Sequence, residues 1–568
     1  MPEHSFKNQE ISMSPVWLKK AVLSLGGKPE LKKIIESSKN VRIAQETIFK
    51  EIIKQGKNTR FGRDHGFSSL RTIDDYRKAV PFRSYNGLAP YIDRMQQGEN
   101  DVLFPGKPIL YNTTSGTTDK PKLIPVSKYE FDRVLKSLSR AWLYKCIHDN
   151  PSIWNGANLS LVGSPVEGTV ADGAPCGSIS GLTYKNIPGI LKSLYSVPYP
   201  IMTIEDYMKK YYGLLRFALA KNITYIISAN PSSLLKIHQV VMDNYTDLVK
   251  DIRDGTLRDD VVESIGPDDR EEALLGLAPM PARAAELEQI LKEHGDNLRP
   301  GHYWPNLACV NTWTQGNCSL VIPKLDGYYP ESTVIREFGY FASEARAVTL
   351  ENDWESSLLP CAAYHFEFIP EDERDTLHPS VLNAWEVEKG KRYFITFSTL
   401  SGLYRYDIND VVEITGFYNQ APLFKFMYKG QGITSLTGEK LSEEQIIMAT
   451  KRVSKDLAMP VEFFTMICDE NRMIYTLYAE FAASPTPENK NRFIGAVDRV
   501  LTEINPEWKT KRGSERLSLP ELNVLPKNSY DLLKEKLRVK NMVRESQYKV
   551  SYLRREPLFA SLFQEMAS

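Results

Sequence analysis

The sequence predicts an α/β protein: a large N-terminal domain of β-sheets with flanking helices, and a smaller, mobile α+β domain behind a hinge. Two observations carry this. Apolar runs repeatedly end in small polar loops that open helical patterns, the texture of sheets that hold ligands at the carboxyl ends of their strands. After Lys429 the texture changes: "YKGQGITSLTG" brings three glycines into a short space, and strand-like runs then alternate with helices. The length of 568 residues agrees, since a single hydrophobic core stops growing well before that size.

The clearest unit is "ITYIISANPSSLLKIHQVVMDNY". Ile223 to Ser228 reads as a buried strand, Asn230 as a helix cap and Pro231 as the first helical residue. "KPILYNTTSGTT", "LSLVGSP" and "LACVNTWTQG" are further apolar strands that enter polar loops. Residues 251–301 are rich in charge, and "REEALLGLAPMPARAAELEQILKEHG" at their centre has helical spacing, which predicts a helical insertion within the first domain. The boundary is placed at 1–429 and 430–568, with the hinge at Tyr428–Ile433. Beyond it, Ser442 and Gln445 stand in capping-box relation. "VEFFTMICD" and "MIYTLYAEF" read as strands, and Lys490 to Ile504 and Tyr530 to Arg544 as helices.

Composition excludes several classes. Lys+Arg and Asp+Glu both number 71, so the chain is neutral, which argues against bulk electrostatic binding to nucleic acid or to an anionic membrane. No apolar run approaches the length of a membrane span, and the first twenty residues lack the apolar core of a signal peptide. The six cysteines form no CxxC pair or ligand-like cluster and read as reduced thiols of a cytoplasmic protein. There is no HExxH, no phosphate-binding GxxxxGK[ST] and no GxGxxG.

Chemistry is suggested first by "YNTTSGTTDKPKLIP", residues 111–125, where five hydroxyl residues surround one glycine before a turn with two lysines. Hydroxyls and backbone N–H groups are good partners for phosphate oxygens, and lysine adds charge. A surface Ser/Thr turn would look similar in isolation, but the stretch follows an apolar strand, where α/β proteins hold ligands. Three more stretches join it. "GYFASEARA" (339–347) offers an aromatic, a hydroxyl and a carboxylate; "GLYRYDINDVVEITGF" (402–417) reads as a strand pair around a turn; "ESQYKVSYLRREP" places Lys549 after a polar turn. Singly, Tyr340 reads as a core aromatic, Glu344 as a solvated carboxylate, Asp410 as a turn acid and Lys549 as a surface lysine.

Together they supply what ATP-driven activation of a carboxylate requires. The carboxylate and the α-phosphate repel each other, so the site must neutralise charge and hold both in line. The turn around Gly116 would cradle phosphates and Glu344 would hold Mg²⁺. Tyr340 would stack on adenine, Asp410 would accept from ribose hydroxyls, and Lys549 would bring a mobile charge.

The ordered set "TSGTT-KPK", "Y-ASE", "YRY…D" and "QYK" resembles the acyl acid amido synthetases of the Gretchen Hagen family, which conjugate auxin and jasmonate, here in a bacterial-like form. The lead-in "NTRFGRDHGF" and "DDYRKAVPFRSYNGLAPYIDRMQQGE" is similar too, so the likeness spans nearly the whole chain. It implies an adenylating fold, with Thr114, Ser115, Gly116, Thr117 and Thr118 as the phosphate loop. Tyr340, Ser343 and Glu344 match a second nucleotide motif, Ser343 facing the α-phosphate and Glu344 the metal. Tyr404, Arg405 and Asp410 match a third, with Asp410 on ribose, and Lys549 matches a lysine that reaches the α-phosphate. Lys549, Glu344 and Ser343 are the implied catalytic residues. Asp119 and Asn409 depart from the pattern, each standing where relatives have glycine; Asn and Asp are the residues that best tolerate a left-handed backbone.

The resemblance implies two steps: ATP and a small carboxylic acid give an acyl-adenylate, and an amino acid amine then attacks it to form an amide and AMP. A thiol acceptor, or a catalytically silent nucleotide-binding protein, are the rivals. The region from the hydroxyl loop to residue 235 is expected to wall the acyl pocket, including "FDRVLKSLSRAWLYKCI" and "GSISGLTY". Leu138 and Trp142, four apart on one helix face, read as ordinary core. Oligomeric state is not legible.

Overall fold

The computed structural model describes residues 15–114, 122–163, 166–315, 318–319, 321–374, 376, 378–430, 433–470, 472–529, 532–533, 552–554 and 563. It opens with α1 (Val16–Ser38), which lies along a later helix, α2 (Lys136–Asp149). The two approach closely at Gly27, where a Cβ would meet Tyr144 Cβ at 2.3 Å and the Arg140 carbonyl at 2.7 Å. Only a residue without a side chain fits there.

Between these helices, β1 (Leu110–Thr114) and β2 (Lys122–Val126) form an antiparallel hairpin with Thr114 opposite Lys122. Gly168–Thr169 and Pro175–Gly177 extend it to four strands. A second sheet is wholly parallel: β3 (Ala157–Ser160), β4 (Ile223–Ile227), β5 (Cys309–Thr312) and β6 (Val334–Glu337), in that order. β4 runs into α3 (Pro231–Asp254) as the sequence predicts, with the Asn230 side chain accepting from Ser232 N at 2.9 Å and Pro231 as the first helical residue. Pro lacks the N–H that would be left unpaired there, and Asn supplies the missing acceptor. Residues 251–301 are largely helical and bury Leu257, Val261, Ala284 and Leu287 in the core beside this sheet.

The third sheet is antiparallel and positions most of the site. Its order is Leu382–Asn383, β7 (His365–Pro370), β8 (Arg392–Ser398), β9 (Tyr406–Tyr418), β10 (Ala421–Lys429) and Ser357–Leu358. The strand pair expected around a turn in 402–417 is instead one long strand preceded by a turn. Two residues explain the difference. Arg405 (φ 47°) ends the turn, and Asn409 (φ 62°) forms a bulge beside the Ile395/Thr396 step of β8, so turn-like chemistry sits inside the ladder.

The C-terminal part has its own core. β11 (Val461–Asp469) and β12 (Ile474–Phe481) are antiparallel, flanked by Glu521–Val524 and Leu553–Arg554. Helices α4 (Glu443–Asp456), α5 (Pro487–Ile504) and α6 (Pro506–Gly513) cover them. The Ser442–Gln445 capping box forms as expected; the expected helix at Tyr530 to Arg544 lies almost wholly outside the described residues. Residues around α6 meet the start of α3 through a Lys236–Glu515 ion pair, Arg516 Nη1 donating to Ser233 Oγ (3.0 Å) and Asn230 Nδ2 donating to the Thr437 carbonyl (2.6 Å). All six cysteines are free thiols. Among the described residues, no helix is long and apolar enough to cross a membrane.

Candidate active site

The centre of the site is built where β9 and β10 pair. Asp410 stands opposite Lys429 in the register, and the two form a buried ion pair. Lys429 Nζ also donates to the Ile408 carbonyl at 3.0 Å, inside the bulge that Asn409 creates. The second oxygen of Asp410 accepts from the Tyr340 hydroxyl at 2.6 Å. Burial, reinforced by the Asp410 charge, raises the Tyr340 phenol well above its ordinary value, so Tyr340 remains a donor.

Glu344 lies on the tip of a tight hairpin closed by Ala342 N donating to the Ala345 carbonyl (3.0 Å) and Ala347 N to the Tyr340 carbonyl (2.7 Å). Its carboxylate accepts from the Tyr406 hydroxyl at 3.2 Å, is half-buried, and has no ion pair among the described residues. The Ser343 carbonyl accepts from Asn112 Nδ2 at 3.2 Å, while Asn112 Oδ1 accepts from Ile179 N at 3.1 Å. Asn112, on β1, therefore fastens this hairpin to the first sheet.

Lys122, the first residue of β2, lies within electrostatic reach of this group. Burial lowers its pKa, Glu344 and Asp410 oppose that shift, and Lys429 and Lys440 add to it. Three cations and two carboxylates thus share one electrostatic field. A polyanion entering it would meet converging positive charge, with a free carboxylate to hold a divalent cation. Among the described residues no group of three or more His, Cys, Asp or Glu could hold a metal alone.

The structure therefore brings Tyr340, Ser343, Glu344 and Asp410 together. Thr114 ends β1 at the mouth of the hairpin loop, while Ser115, Gly116, Thr117, Thr118, Asp119 and Lys549 lie outside the described residues. Three expectations need correction. Tyr340, expected to stack on adenine, is buried with its ring edge against Phe424 (centroids 5.5 Å apart), so its contribution is the hydroxyl on Asp410. Tyr404, expected at the nucleotide, stacks on Phe61 and donates to the Leu103 carbonyl at 2.6 Å. Arg405, also expected there, forks onto buried Glu367 (2.7 and 3.2 Å) and donates to the Val80 carbonyl at 2.7 Å. Both side chains are buried and engaged in these core contacts. Lys122, Lys429, Lys440, Tyr406 and Asn112 were missed. Lys122 stood in the quoted "DKPK" turn, and nothing else in the sequence separated it from other lysines.

Beside this cluster lies a mostly apolar cavity of about 720 Å³. Asn112 and Ser343 border it, Trp142, Phe338, Phe341 and Tyr225 wall it, and Leu23 of α1 contributes to its roof. Leu138 and Trp142, read from sequence as core, also face this cavity.

Comparison with known proteins bears on the family and the fold. Sequence profiles of the GH3 family match in order: its N-terminal domain over residues 30–334, its central domain over 357–429 and its C-terminal domain over 444–557. The chain is similar to indole-3-acetic acid-amido synthetase GH3.15 of Arabidopsis thaliana, 27% identical over 434 residues, covering 72% of this chain and 71% of that one. It is also similar to probable indole-3-acetic acid-amido synthetase GH3.11 of Oryza sativa subsp. japonica, 26% identical, covering 78% and 77%. Among solved structures, GH3.15 acyl acid amido synthetase shares the fold with a TM-score of 0.64 at 22% identity, over 100% of this chain and 98% of that one. The same protein has been solved in complex with 2,4-DB. These relatives are plant proteins, so the bacterial-like form expected from the motifs is not borne out. With three consecutive domains of the family matched, the chain belongs to the GH3 family.

Proposed function

We propose that this chain is an amide-forming ligase that adenylates a small carboxylic acid with ATP and passes the acyl group to an amino acid. The observation that carries this is the Lys429–Asp410 ion pair with Lys122 and Glu344 in its electrostatic field, next to an apolar cavity bordered by Ser343 and Asn112. The cationic side takes the triphosphate. The apolar side takes the body of the acid, and its carboxylate is presented at the junction.

The chain's own residues would act as follows. Lys122 and Lys429 offset phosphate charge, so that one anion can approach another. Asp410, held by Tyr340 and Lys429, accepts from ribose hydroxyls once Lys429 turns toward phosphate. Ser343 faces the α-phosphate, and Thr114 with Ser115, Gly116, Thr117 and Thr118 provides N–H and hydroxyl donors. Glu344 would hold Mg²⁺, which would supply further charge withdrawal from the phosphates. Lys549 contributes a mobile cation at the α-phosphate. Rotation of residues 430–568 about Tyr428–Ile433 then opens a path for the amine, a gating role that suits a hinge. Lys429 ties this hinge to Asp410 directly.

ATP–pyrophosphate exchange against a panel of carboxylic acids tests the first step. Mass spectrometry with amino acids and coenzyme A offered together then names the acceptor. Exchange followed by an amide supports the proposal; a thioester overturns the acceptor, and no exchange with any acid overturns the adenylation.

A further inference from the structure

The cavity wall holds one group that apolar packing does not explain. Arg346 lies two residues past Glu344, paired in an antiparallel bridge with Phe341. Phe341 and Arg346 both line the cavity, whereas Tyr340, Glu344 and Asp410 do not. The hairpin thus separates a nucleotide side from an acyl side, and Arg346 is on the acyl side. Its guanidinium carbon sits 3.7 Å from the centre of the Phe341 ring, and Nη1 is 3.4 Å from Ser139 Oγ. Nε has no hydrogen-bond partner, although the residue is only 4% exposed.

No carboxylate among the described residues lies within ion-pair distance of Arg346. Burial draws the guanidinium down to about 10, with Tyr364 and Glu130 opposing from further away. Glu130 is a weak counterion, since burial pushes its own carboxyl up to about 7. A buried guanidinium without a carboxylate is strongly unfavourable, and stacking on one aromatic ring offsets only part of that. Such a group is retained where a ligand supplies the missing acceptor.

We propose that Arg346 is a specificity residue of the acyl cavity, donating to an oxygen carried on the apolar body of the acid, away from the carboxyl that is activated. The substrate class is an apolar acid with a second carboxylate or a carbonyl, not a plain hydrocarbon acid. A guanidinium forked onto the reacting carboxylate would occupy the lone pairs needed for attack on phosphorus. One on the remote end fixes orientation without that penalty. This inference rests on the reading of the cavity as the acyl site.

The test compares phenylpropanoate with its ring-carboxylated and ring-acetylated counterparts in ATP–pyrophosphate exchange, using wild type, Arg346→Met and Arg346→Lys. Acid binding by calorimetry and melting temperature are measured on the same proteins. Wild type is expected to prefer the oxygenated acids by about tenfold or more in kcat/KM, the yield of one charged hydrogen bond. Arg346→Met should erase that preference, and should not lower the melting temperature. Arg346→Lys should keep part of the preference for the carboxylated acid. Equal loss across all three acids, or no preference in wild type, overturns the proposal. A lowered melting temperature with unchanged selectivity also overturns it, by making the residue structural. If no acid supports exchange, the ligase reading fails by itself. Calorimetry still decides for Arg346, by whether the oxygenated acids bind wild type more tightly than Arg346→Met.

Discussion

Replacing Arg405 by methionine separates a structural role from contact with nucleotide. In the fold, Arg405 makes two hydrogen bonds to Glu367 at 2.7 and 3.2 Å and two more to the Val80 and Arg77 carbonyls at 2.7 and 3.1 Å. Its guanidinium also lies 3.8 Å from the centre of the Phe82 ring. Burial pushes the Glu367 carboxyl up, yet Arg405 reverses this and holds it below its ordinary value. Methionine keeps the packing against Phe82 and removes every donor. Glu367 would then depend on Arg77 alone, which reaches it at 2.8 Å from a more exposed position. Breaking a buried pair of this kind costs about 3–5 kcal/mol. Adding Glu367→Gln to Arg405→Met should return part of that, with a coupling of roughly 2–3 kcal/mol. Denaturant unfolding followed by near-UV circular dichroism measures both. For protein that remains folded, the KM for ATP should change by less than about twofold, because no donor of Arg405 faces the cleft. Wild-type stability in Arg405→Met together with a KM for ATP raised tenfold would refute the reasoning.

Other outcomes follow from the same geometry. Asp410→Asn frees Lys429 and replaces one of the two charged acceptor oxygens by a donor, so nucleotide affinity measured by calorimetry should fall by roughly 10- to 100-fold, the range of a charged hydrogen bond. Lys549→Ala should depress pyrophosphate exchange while the far-UV spectrum stays unchanged; exchange at the wild-type rate would remove Lys549 from the chemistry. His365 is buried with neither ring nitrogen bonded, and burial lowers its pKa to about 4. The unfolded chain therefore binds more protons than the native one below about pH 6.5, and stability should decline as pH falls toward 4, by about 3 kcal/mol from this residue. His365→Phe should flatten that part of the pH–stability curve, and an unchanged curve would exclude His365 as its source.

How much was legible depended on whether signals were local. Asn230 and Pro231 announced a helix start because capping involves neighbours in the chain, and Ser442 with Gln445 did the same. Glu344 and Asp410 were singled out by the order of short motifs. Lys429 was not, since its partnership with Asp410 arises from strand register across a hairpin, which a single chain does not display. Tyr404 and Arg405 show the opposite failure. They belong to a nucleotide motif by sequence, yet the left-handed backbone of Arg405 turns both side chains into the core and leaves Tyr406 to reach Glu344. Arg346 carried no signal at all: an arginine beside an alanine-rich turn reads as surface until its burial is known.

Helix α1 has a consequence for how this enzyme could diversify. Leu23, Gly26 and Gly27 border the cavity, yet all three precede residue 30, where the family's N-terminal profile begins to match. The roof of the cavity is thus a separate piece of chain from the strands and hairpin that carry the charged cluster. If the cavity holds the acid, exchanging this one segment would reset which acids are admitted while leaving the charged cluster untouched.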